Sequence, residues 1–208
     1  MKTLIFLNIL VIFMGCSWSN KGYEFNNKGL FIEIADTTKP VNLPNGSYYK
    51  LIYINEFQYK IEWGNRQIKN ISKDTFDISG SGPLYLLESS NDFIILQQGC
   101  GMNCKYSVVL PLSSKVEEQT YIFTLALDTK DNLIAYLPED QKNFIVVKNY
   151  LTGKVMEIEE DDLCPAASSG DCIDTCYFDK SCLIIKWQGS KWQSTQPDTK
   201  ERKIKINI

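Results

Sequence analysis

The sequence predicts an all-β domain, an antiparallel meander without a long helix. Three observations carry that prediction. Stretches rich in aromatic and β-branched residues recur along the chain, either alternating with polar residues or as short apolar runs. Turn chemistry separates them, most clearly at Asn45-Gly46, Gly80-Ser81-Gly82 and Thr152-Gly153. No segment keeps a helical apolar period for three turns. With 208 residues, 44% of them hydrophobic and 23% charged, the chain has material for a real core and is not a disordered one.

Taken in order, the strands are expected at 30–35, 48–54, 58–63, 83–87, 93–97, 106–110, 120–127, 133–137, 144–148, 155–159, 183–187 and 203–208. A weak internal repeat organises the later ones. Asn91-Asp92-Phe93-Ile94-Ile95-Leu96 is echoed by Asp131-Asn132-Leu133-Ile134-Ala135-Tyr136, and again by Lys180-Ser181-Cys182-Leu183-Ile184-Ile185. In the first two units a second strand follows shortly, and in the second a hairpin returns through Leu151-Thr152-Gly153-Lys154. A strand meander recurring every 40 to 50 residues or so resembles the blades of a β-propeller, and the chain holds about four such units. The alternative is an antiparallel β-sandwich or barrel.

Residues 1–15 form a signal segment. Lys2 is the only charge before Lys21, and a short apolar run from Leu4 to Met14 follows it, too short to span a bilayer. Phe13-Met14-Gly15-Cys16 resembles the lipobox of bacterial lipoproteins, with Gly15 and Cys16 matching and Phe13 and Met14 departing from the usual residues. The resemblance implies cleavage before Cys16 and diacylation of its sulfur. It implies an address in the cell envelope, at the outer membrane, on its periplasmic side or surface, if the host is Gram-negative. Residues 16–28 are then the lipidated cysteine and a small polar tether, and 29–208 a single all-β domain.

With Cys16 given to lipid, six cysteines remain: Cys100, Cys104, Cys164, Cys172, Cys176 and Cys182. An even number in an exported chain points to three disulfides. Cys100 and Cys104 stand apart from the rest and are expected to close on each other. Cys164–Cys182 is expected to staple a disulfide-rich loop, 164–182, with Cys172–Cys176 a small ring inside it. The competing scheme pairs Cys164 with Cys172 and Cys176 with Cys182. Redox catalysis favours two residues between paired cysteines, and both short pairs here have three.

Several function classes fall away. The chain has no histidine, which removes Ser-His-Asp triads, Cys-His pairs and His-ligated zinc. A formal charge of −3 argues against nucleic acid as a partner. The acidic run Glu157, Glu159, Glu160, Asp161 and Asp162 fits no calcium motif and reads as a solvated loop, so no metal or cofactor is expected. Paired carboxylates could hydrolyse glycosides, but nothing selects two of the 25 acids. The expectation is a non-catalytic envelope lipoprotein that recognises a protein or glycan. Its membrane contact would run through the lipid, and its contact surface would involve Trp187, Trp192 and Tyr177. An inhibitor or immunity protein against a toxin or hydrolase is the alternative, and a carboxylate-based hydrolase comes third.

Overall fold

Eighteen short strands, nearly all joined to their sequence neighbours, account for the regular structure of the residues described. The structure, a computed structural model, describes residues 22–25, 31–34, 39–55, 57–78, 83–101, 104–113, 117–138, 144–160, 172–189 and 198–208. A hairpin, β1 (Gly22–Phe25) and β2 (Phe31–Ile34), comes first. Sheet I contains β3 (Val41–Asn42), β4 (Tyr48–Tyr53), β5 (Gln58–Gly64) and β6 (Lys69–Ile71), with β7 (Phe76–Asp77) also paired to β5. Sheet II is β8 (Tyr85–Ser89), β9 (Phe93–Gly101), β10 (Cys104–Pro111) and β11 (Gln119–Tyr121). Sheet III is β12 (Thr124–Asp128), β13 (Leu133–Tyr136), β14 (Ile145–Asn149) and β15 (Val155–Ile158). Sheet IV is β16 (Ile173–Asp179), β17 (Cys182–Gln188) and β18 (Thr199–Lys205). Every pairing is antiparallel, so the chain is the all-β meander its sequence predicts, built as four successive blade-like sheets.

The sheets stack in chain order. Successive side chains on a strand point to opposite faces, and the buried residues divide accordingly. In sheet II, Ile94, Leu96, Val108 and Leu110 pack with Tyr59, Ile61 and Trp63 of sheet I. Phe93, Ile95 and Val109 leave the other face and pack with Ile134 and Tyr150 of sheet III. Sheet III turns Leu133, Ala135, Ile145 and Val147 toward Leu183, Ile185 and Trp187 of sheet IV. A sheet covered on both faces needs continuous apolar runs in place of alternation, hence Phe93-Ile94-Ile95-Leu96 and Leu133-Ile134-Ala135. The far face of sheet IV is charged, with Lys186–Glu201 at 3.1 Å and Lys203–Asp179 at 3.3 Å. This is neither a two-sheet sandwich nor a closed barrel.

The internal repeat has a structural counterpart. The residue before β9, β13 and β17 accepts, each time, a hydrogen bond from the residue after the third strand of its unit. The bonds are Leu112 N–H to Asp92 C=O at 2.8 Å, Tyr150 N–H to Asn132 C=O at 3.0 Å, and Ile206 N–H to Ser181 C=O at 2.8 Å. The first strand of each of these units also carries a bulge, with Leu87, Leu125 and Asp174 the extra residues.

Four expectations need correcting. The strand expected at 120–127 is broken at Ile122-Phe123, where Phe123 takes a left-handed φ of 53° and the chain passes from sheet II to sheet III. Gly22–Phe25, placed in the tether, is a hairpin strand. The last strand is Thr199–Lys205, not 203–208. Most consequentially, the expected loop 164–182 contains β16. An extended strand advances about 3.3 Å per residue, which sets residues four apart at about 13 Å, whereas a disulfide holds Cα atoms within about 7 Å. Cys172, immediately before β16, and Cys176 within it therefore do not form a small ring.

Candidate recognition site

Following the strands, the short turns at 90–92, 129–132 and 180–181 lie at one end of the stack. The strand ends at Gly101, Tyr136, Ile158 and Gln188 lie at the other. Between sheets II and III the packing changes character along this axis. Near the short turns it is apolar, around Phe93, Ile95, Ile134 and Tyr150, with Phe93 set edge-on to Tyr150 at 5.1 Å. Toward the opposite end it becomes polar. Gln97, buried, donates its amide N–H to Ser107 Oγ at 3.1 Å and accepts from the Tyr85 hydroxyl at 3.2 Å. Buried Thr124 donates its hydroxyl to the Tyr121 carbonyl at 3.2 Å. Lys148 lies 5.6 Å over the Tyr121 ring, and burial lowers its pKa.

A cleft of about 300 Å³ opens beside this layer. Along one side run Thr124, Leu125, Ala126, Leu127 and Thr129, and across from them Leu87, Glu88, Gln97 and Lys105. Both bulge residues, Leu87 and Leu125, line it, as expected of bulges, which re-aim side chains. Glu88 and Lys105 form no ion pair with another described residue. The cleft joins apolar surface to separate acidic and basic groups, which suits binding.

Of the expected contact surface, Trp187 and Tyr177 are not brought together. Trp187 is 4% exposed and packs edge-on against Phe144 at 5.7 Å, so it belongs to the core between sheets III and IV. Tyr177 is exposed on the opposite face of sheet IV, its register partner being Ile184. Trp192 lies outside the described residues. The strand period separates the first two: Trp187 follows Leu183 and Ile185 inward, and Tyr177 points away.

The cysteines also depart from expectation. Cys176 and Cys182 are free thiols, which removes Cys172–Cys176, Cys164–Cys182 and the competing Cys176–Cys182. Cys176 faces the core opposite Ile185, whereas Cys182 faces outward opposite Asp179 and Lys205, so the two lie on opposite sides of the sheet. Burial pushes the Cys176 thiol up to about 12. Cys172 is disulfide-bonded. Cys16 and Cys164 lie outside the described residues. Cys100 and Cys104 sit at the β9–β10 hairpin, and a bridge between them also falls outside what is described.

In the acidic run, Arg202 approaches Glu160 at 3.8 Å and donates to the Glu159 carbonyl at 3.3 Å. Among the described residues no group of three or more Cys, Asp or Glu could hold a metal ion. Leu87, Glu88, Gln97, Lys105 and Leu125 went unmarked in the sequence because each is an ordinary strand residue. The one available signal was Leu86-Leu87-Glu88, where alternation fails. No protein-family model and no curated protein matches the chain.

Proposed function

We propose that this chain is a bacterial cell-envelope lipoprotein, anchored through Cys16, whose β stack recognises a protein or glycan and performs no catalysis. Cys16 carries the reading: it follows Gly15 where the apolar run stops. The cleft between sheets II and III supports a recognition role, with Glu88 and Lys105 in no ion pair among the described residues.

Cys16→Ala is expected to abolish incorporation of labelled palmitate and to release the protein from membrane fractions. Unchanged fractionation would overturn the anchor. For recognition, a photo-crosslinking residue at Leu87, in the cleft, is expected to give a discrete adduct in intact envelopes. The same residue at exposed Ile71 on sheet I is expected to give none. Equal labelling from both positions would refute a directed site.

A further inference from the structure

The cleft between sheets II and III has the geometry of a strand edge. Four consecutive residues of β12, Thr124 to Leu127, line it together with Thr129 just beyond. Ala126 packs into the core between sheets III and IV and Leu127 against the core between sheets II and III, so the two leave opposite faces of the strand, and a groove touching both lies along the edge. The topology agrees: β12 is outermost in sheet III and pairs only with β13 among the described residues. From Thr124 to Thr129 the groove runs about 16 Å, at about 3.3 Å per residue. Opposite it, β8 is the outermost strand of sheet II. Among the described residues no aromatic ring lines the groove, and so none there provides the flat stacking surface that a sugar ring uses.

We infer that the groove takes an extended peptide segment of a protein partner, laid along the β12 edge. This deepens the proposed function and rests on its recognition role, but not on the lipid anchor. Three features give the peptide its chemistry. A strand edge with no ladder partner among the described residues has backbone N–H and C=O groups for an added strand. Leu87 and Leu125, displaced by their bulges, form an aliphatic position for one partner side chain. Lys105 and Glu88 call for an acidic and a basic partner residue respectively. The bulge at Leu125 serves a second purpose. It interrupts the edge ladder, which limits pairing with a second copy of this chain and leaves only the stretch from Ala126 onward for a short ladder.

The test uses the full chain in detergent micelles against a phage-displayed library of random dodecapeptides. Enriched peptides are expected to share an aliphatic residue flanked by an acid. Lys105→Glu, an exposed substitution, is expected to weaken them at least tenfold, with affinity recovered when the peptide acid is changed to lysine. Leu125→Asp is expected to abolish binding, and circular dichroism reports whether that variant is folded. If it is not, the Lys105→Glu charge swap decides alone. The inference is overturned if no peptide is enriched, if enriched peptides bind Lys105→Glu unchanged, or if soluble glycan fragments bind instead and lose binding in the same variants. Running the selection in parallel on Cys16→Ala separates the two ideas: peptide binding without palmitate dependence of membrane attachment leaves this inference standing and refutes the anchor alone.

Discussion

Alkaline pH is expected to unfold this protein steeply, and its buried tyrosines set the size of the effect. Tyr59 and Tyr150 are wholly buried and Tyr121 nearly so. Burial pushes all three phenols well above their ordinary value of 10, with nearby tyrosines adding at Tyr121, and Glu88 and Asp128 adding at Tyr150. The folded state thus holds these protons after the unfolded chain has released them. Their contribution is complete below pH 10 and declines as pH rises beyond it. Each proton so held costs about 1.4 kcal/mol of stability per pH unit. Three together remove about 4 kcal/mol by about pH 11, a large share of the 5 to 15 kcal/mol or so typical of a folded domain. With no histidine in the chain, no side-chain group of ordinary pKa titrates between about pH 6 and 8, so stability should be flat there. Phenolate absorbance and far-ultraviolet circular dichroism, followed together on a pH titration, provide the assay. Part of the phenolate signal should appear only with the loss of strand signal. If every tyrosine ionises near pH 10 while the dichroism stays native, the burial argument fails.

Two further outcomes follow from single groups. The buried Tyr150 hydroxyl has no hydrogen-bond partner, and an unmet buried hydroxyl costs about 1 to 3 kcal/mol. Tyr150→Phe is therefore expected to stabilise the protein by about 1 kcal/mol in thermal or denaturant unfolding, and a loss of similar size would reveal a hidden partner. Iodoacetamide is expected to label the outward Cys182 in the native protein and core-facing Cys176 only after unfolding, as peptide mapping would show; equal labelling of both in the native state would contradict the strand faces assigned to them.

How far the architecture was legible depends on what each strand has to bury. β9 and β13 are covered on both faces, so their apolar runs are dense and their echo visible across 40 residues. The tight turns before them repeat because the same backbone hydrogen bond closes each unit. β16 escaped because it is covered on one face only, and its inward residues are Ile173, Cys176 and Phe178, set out of strict alternation by the bulge at Asp174. Its cysteine also drew attention toward loop staples. β6 and β7, of three and two residues, are too short to show a period and are held by pairing to β5. The cleft was illegible for a related reason. Its residues come from four strands of two sheets, and their common feature, two bulges one unit apart, is a property of register and not of residue type.

The three seams of the stack are unequal, and the inequality bears on function. Among the described residues, the seams between sheets I and II and between III and IV each bury a cluster of twelve apolar residues, whereas the seam between II and III buries six. In a stack where each sheet touches mainly its neighbours, stability is close to a sum over seams, so the middle one is the weakest. It also holds the unpartnered Tyr150 hydroxyl, the half-buried Lys148 and the Gln97–Ser107–Tyr85 chain. A fold selected for stability alone would fill that seam with the leucines and isoleucines found in the other two. Polar groups persist there beside a strand edge with no second ladder partner among the described residues, where the proposed peptide would bind. Occupation of the groove should accordingly tighten the middle seam more than the outer ones. Amide hydrogen exchange should slow first in β8, β12 and β13, with β4 and β18 unchanged.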